Sequence, residues 1–202
     1  MNKILKALFG TGISHAPIAV GTTEEESEIV YPIAVVQYAR DEYGVGTEEH
    51  LHWALIVLVD SELQRGPCFQ VFEPDDSKTV SDTNPSWELF YENVKLDFHG
   101  DQCLGGVIIG YVRQNELVNL QKVALRNKPH VKFDGWNCRS WVMEVIQEMI
   151  EIGWVDPSVR HQSSLLPSMK QASLQTVALR TPMTVSLTKD RGDNTTQYFY
   201  VF

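Results

Sequence analysis

The segment His50-Leu51-His52-Trp53-Ala54-Leu55-Ile56-Val57-Leu58-Val59-Asp60 constrains this chain more than any other. From Trp53 to Val59 every residue is apolar. Side chains on a strand alternate between two faces, so an unbroken apolar run needs cover on both. The run is too short for a membrane helix, which takes ~20 apolar residues. It reads as a central strand of a sheet covered on both sides.

Other elements arrange themselves around it. Ile29 to Tyr38 is rich in strand formers, with Pro32 at a strand start or edge. Cys68 to Glu73 reads as a short strand, reached through a loop holding Gly66-Pro67 and paired with the central strand as a hairpin. Trp87 to Phe98 is ambiguous, a short helix and then a strand from Val94. Leu104 to Val112 is a further strand. Asn115 to Arg126 carries Leu117, Leu120, Val123 and Ala124 at helical spacing, with Asn115 placed to cap it. Cys138 to Ile152 is the clearest helix. Trp141, Val142, Val145, Met149 and Ile150 form its stripe, and Gly153 stops it. A helix is expected near Pro167–Leu179. Met183–Leu187 and Gln197–Phe202 read as a terminal hairpin around Asp190-Arg191-Gly192-Asp193. The expected class is α+β: a mostly antiparallel sheet packed on the Cys138 helix. Residues 1–28, ending in the acidic cluster Glu24–Glu28, read as an arm, and 29–202 as one domain.

Charge narrows the range of partners. The chain holds 17 Lys and Arg against 26 Asp and Glu, a formal net charge of -9. A surface of that sign repels phosphate backbones, so nucleic acid is not expected as a partner. The segment Met1–Phe9 begins like a secretory leader but breaks at Gly10-Thr11-Gly12. No integral membrane segment is expected, and the cytoplasm is the expected location. The Asn194-Thr195-Thr196 sequon is then silent. Three cysteines, Cys68, Cys103 and Cys138, are too few and too scattered for a disulfide framework or a zinc site. No metal and no cofactor is expected; His50 and His52 could share an ion, but no carboxylate at clear spacing completes the set.

One pair of segments carries chemistry. Asn137-Cys138 opens an amphipathic helix, and His52 lies in the central strand. A thiol attacks carbonyls as the thiolate, and an ordinary cysteine has a pKa of ~8.5. A helix N-terminus favours the thiolate through its dipole and free N–H groups, and an imidazolium nearby favours it further. Cys138 shares a helical face with Trp141, Val142 and Val145, the face turned toward the sheet. A Cys138–His52 pair is therefore expected. Asn137 serves as helix cap or beside an oxyanion, with the Cys138 N–H the preferred candidate for oxyanion donor. Trp53 and Trp136 are candidates for the cleft wall. His50 is the rival histidine. Cys68 and Cys103 read as packing residues.

His52-Trp53-Ala54-Leu55-Ile56-Val57 resembles the His-Trp-Ala strand of the lecithin:retinol acyltransferase-like proteins. Asn137-Cys138-Arg139-Ser140-Trp141-Val142 resembles their Asn-Cys-x-x-Phe-Val helix start. The PPPDE peptidases show a similar His strand and Asn-Cys helix. Uncharacterised fungal proteins with His-Trp-Ala-Leu and Asn-Cys-Arg-x-Trp-Val are similar too. The resemblance runs from about His52 to Gly153, half the chain. It implies a circularly permuted papain-like fold, in which His precedes Cys, and a thiol enzyme. One departure is plain. The acyltransferase-like group carries a second His on the next strand, and Cys68–Glu73 has none. Gln70 or Glu73 could orient His52 instead, or the site is a plain dyad.

These readings converge on a cysteine hydrolase or acyltransferase. Its substrate is a small-molecule or peptide acyl compound: an amide, peptide, ester or thioester. The alternative is a catalytically inactive module that keeps the fold and binds a partner in the cleft. The oligomeric state is left open.

Overall fold

The computed structural model describes residues 28–40, 42–73, 87–97 and 103–187. Six strands form one sheet in the order β4-β3-β2-β1-β5-β6. They are β1 (Val30–Tyr38), β2 (His52–Val57), β3 (Arg65–Phe72), β4 (Glu88–Lys95), β5 (Cys103–Arg113) and β6 (Thr184–Ser186). Three helices accompany them: α1 (Leu117–Arg126), α2 (Cys138–Ile152) and α3 (Gln162–Leu179). All neighbouring strands run antiparallel except β5 and β6. The class is α+β with a mostly antiparallel sheet, as the patterning predicts.

The apolar run becomes β2, third in the sheet and flanked by β1 and β3. Its alternation sorts the core into two clusters. Trp53, Leu55 and Val57 pack with Cys138, Trp141, Val142 and Val145 of α2, Leu120 of α1 and Leu165 of α3. Ala54 and Ile56 point the other way and pack with Ala34, Val36, Cys68, Cys103 and Ile108. Among the described residues, that second cluster draws on strands and on Leu58 and Leu96, and no helix contributes to it. Two-sided burial is therefore real, but the helices lie on one side.

Several expectations need correction. Gly66 and Pro67 lie inside β3, paired with Val94 and Asn93. A Cβ at Gly66 would meet the Val57 carbonyl oxygen at 1.7 Å, so close backbone approach, not a turn, accounts for this glycine. Residues 88–95 form an edge strand throughout, so no short helix lies between Trp87 and Val94. Its exposed residues hide the alternation: Tyr91 stacks on Phe69 on one face, while Phe90 meets Phe72 on the other. Asn115 sits in a 3-10 turn, Gln114–Glu116, and does not cap α1. The third helix starts at Gln162, five residues before Pro167. Strand β6 adds in parallel to β5. The segment Gln197–Phe202, its turn and the arm up to residue 27 lie outside the described residues. Glu28 is ion-paired with Arg113 at 3.0 Å, which ties the chain entering β1 to the end of β5. Among the described residues, no helix is long and apolar enough to cross a membrane.

Candidate active site

The helix start has a complete local logic. Asn137 is in extended conformation, and its Oδ1 accepts from the N–H groups of Arg139 at 3.0 Å and Ser140 at 3.4 Å. The Ser140 hydroxyl in turn accepts from the Asn137 N–H at 3.3 Å, closing a capping box. Asn137 Nδ2 donates to the Gly135 carbonyl at 2.9 Å. The cap thus consumes the Asn137 oxygen, while the Cys138 N–H stays outside the cap's bonds. Cys138 is the first helical residue and is buried, in the cluster with Trp141 and Val142. At the other end Gly153 takes the left-handed conformation that stops α2.

His52 opens β2. It stands opposite Tyr38 of β1. Its ring stacks on Phe72 at 4.8 Å and 9°. The His52 Nε2 lies 3.1 Å from Gln70 Oε1. Because Oε1 can only accept, Nε2 carries the proton and Nδ1 keeps its lone pair. Burial depresses the His52 pKa to about 4, helped by the charges of Arg40 and Arg139 and opposed by the Gln70 bond. The ring is neutral at neutral pH. The imidazolium expected beside the thiol is therefore not its resting form; a neutral base is.

His52, Gln70 and Cys138 line one cavity of about 520 Å³. Arg40, Phe72, Glu73, Trp87 and Phe90 complete much of its wall. Among the described residues no hydrogen bond joins His52 to Cys138. The reason is alternation: the residue after His52, Trp53, faces α2, so His52 itself starts on the face away from the helices. The two side chains meet the same cavity at the end of β2, approaching it from different sides of the sheet.

The other candidates separate. Gln70, not Glu73, bonds the His52 ring. His50 stacks on Tyr43 at 4.8 Å beside Glu49 and does not line the cavity. Trp53 is fully buried in the helix-side core and Trp136 is buried with its Nε1 donating to Glu144 at 2.9 Å. Neither lines the cavity; Trp87, edge-on to Trp136, does. Cys68 faces the strand-side cluster, where burial above all, with Cys103 and Glu92 nearby, pushes its thiol up to about 12. Among the described residues no three His, Cys, Asp or Glu side chains gather to hold a metal ion.

Sequence reasoning passed over Arg139. Its Nη1 donates to the Leu51 carbonyl at 3.0 Å, so the helix start is tied to the residue before His52. Burial draws its pKa below the ordinary arginine value, and Cys138 is the first of the groups that oppose this. Its place directly after Cys138 was visible, but its reach to Leu51 is a tertiary fact.

Residues 32–164 match the model of a protein family described as a family of unknown function, DUF6914. No curated protein and no solved structure matches the chain.

Proposed function

The chain belongs to the DUF6914 family, and we propose that it is a cysteine hydrolase or acyltransferase using Cys138 as nucleophile and His52 as base. The observation that carries this reading is the shared cavity: a capped helix start bearing a thiol and a neutral, Gln70-anchored histidine open onto one space. When an acyl group enters, His52 Nδ1 takes the Sγ proton as the sulfur–carbon bond forms. The carbonyl electrons move onto oxygen, and the Cys138 N–H donates to that oxyanion. Collapse expels the amine, alcohol or thiol, which receives the proton from His52. Water or an amine then attacks the thioester, gives its proton to His52, and the sulfur leaves and recovers it. Gln70 positions the ring throughout. Contact between Nδ1 and Sγ is made in the loaded site, where catalytic hydrogen bonds tighten. The permuted papain-like arrangement and a cytoplasmic location belong to the same proposal.

The test is direct. The protein is treated with p-nitrophenyl acetate and with iodoacetamide across pH, and the modified cysteine is located by mass spectrometry. Cys138 is expected to acquire the acetyl group and to react ahead of Cys68 and Cys103. His52→Ala should slow acetyl transfer by roughly 10²–10⁴-fold, the contribution of a positioned base, and should change the alkylation profile. His50→Ala should do neither. A profile identical in wild type and His52→Ala defeats the enzyme.

The second reading then takes over, a binding module without turnover. One observation favours it: His52 is stacked on Phe72 and bonded to Gln70 on the face away from α2, without a bond to the thiol.

A further inference from the structure

The chain carries a net charge of -9, yet an arginine lines the cavity onto which the thiol opens. Arg40 lines it together with His52 and Cys138. Arg139 stands next to Cys138 and its guanidinium lies on the Leu51 carbonyl, beside His52. Among the described residues neither arginine is in an ion pair. Both act unfavourably on a charged His52, and Arg40 acts unfavourably on Arg139. Glu49 favours the Arg139 charge, but it stands beside His50, outside the cavity lining. The acids of the cavity lining are Glu73, directly after β3, and Glu92 of β4. Arg40, just past β1, and Glu92 of β4 thus stand on opposite sides of the lining.

We propose that the cleft selects acyl substrates bearing a carboxylate, held by Arg40 beside the reacting carbonyl, with the rest of the substrate on Phe72 and Phe90. A guanidinium matches a carboxylate in shape and charge. Glu92, on β4 across the lining, repels the anion toward Arg40. The two phenylalanines, in edge contact at 5.1 Å, give an apolar surface for an uncharged remainder. Arg139 is a positioning residue: it holds the helix start to β2 and adds its field. This specificity rests on the thiol reading given above.

The experiment compares two alkylating agents of nearly equal size on the full chain. Iodoacetate carries the carboxylate and iodoacetamide does not. The rate ratio at Cys138 is normalised to that of free cysteine in solution. Wild type should favour iodoacetate, by roughly threefold to fivefold as suits a solvent-accessible pair. Arg40→Ala should bring the normalised ratio to about one, Arg40→Glu below one, and Arg40→Lys should retain most of the preference. Raising salt toward 1 M, where the Debye length falls to ~3 Å, should erase it. A normalised ratio of one in wild type, or a preference that Arg40→Glu leaves unchanged, overturns the proposal. If iodoacetamide modifies Cys138 in a His52-dependent way while Arg40 has no effect on the ratio, the specificity fails and the thiol reading stands. If neither reagent modifies Cys138, both fall.

Discussion

The two faces of the sheet are built from different residues. The helix-bearing face holds Trp53, Leu55 and Phe69 against Trp141 and Val142. The opposite face packs Ala34, Ala54, Cys68 and Cys103 with Val36, Ile56, Leu58, Leu96 and Ile108. Large interlocking side chains concentrate burial energy on the first, at ~1.5–3 kcal/mol for each fully buried aliphatic or aromatic group. Among the described residues the second cluster is smaller and holds no buried aromatic ring, so it is poorer in such energy, and there His52, Gln70 and Phe72 gather around the cavity. Folding stability and the candidate chemistry are therefore largely separated by strand alternation, with Cys138 and Val71 belonging to both the helix-side core and the cavity wall.

The sharpest way to break that contrast is a pair of truncations. Trp141→Ala removes a fully buried ring whose Nε1 donates to the Asn127 carbonyl. It should cost ~3–5 kcal/mol in urea denaturation. Cys68→Ala on the other face removes a single sulfur and should cost ~1 kcal/mol. Equal losses would mean that both faces bear the fold alike.

Acid titration addresses the strand-side face. The His52 pKa is about 4 in the folded protein and near 6.5 in the unfolded chain. Between those values the unfolded chain binds more protons, so stability falls as pH drops from ~6.5 to ~4. Up to ~3 kcal/mol should disappear over that window. His52→Gln should flatten this limb of the stability–pH curve. An unchanged limb would place the ring in water and remove it from the cavity wall.

The smallest effect concerns the helix start that the cavity shares with the core. Asn137→Ala breaks the capping box and should cost ~1 kcal/mol, most of which Asn137→Ser or Asn137→Asp should restore. Loss of stability without recovery in either variant would show that the Gly135 bond, not the cap, gives Asn137 its value.

Local signals read well where one residue answers to one neighbourhood. The apolar run had to hold an interior strand, though the structure confines it to His52–Val57 and leaves Leu58 and Val59 outside, and Asn137, the α2 stripe and Gly153 marked a helix whose bounds agree with the structure. Residues 88–95 could not be read the same way, because an edge strand exposed on both faces has no alternation for burial to impose. Gly66 looked like a turn for a similar reason: its role depends on the Val57 carbonyl from another strand. At the site, the residue types Cys138, His52 and Gln70 were legible, as was their presence on neighbouring elements. The sequence by itself determined the central strand, the capped helix and the thiol at its start, since each follows from spacing within a few residues. Tertiary structure alone decided that all three helices take the Trp53 face. It also put Gln70 rather than Glu73 on His52, and Arg40 and Arg139 beside the cavity. Those outcomes depend on strand register and on which face of a shared sheet is covered, and a single segment carries no record of either.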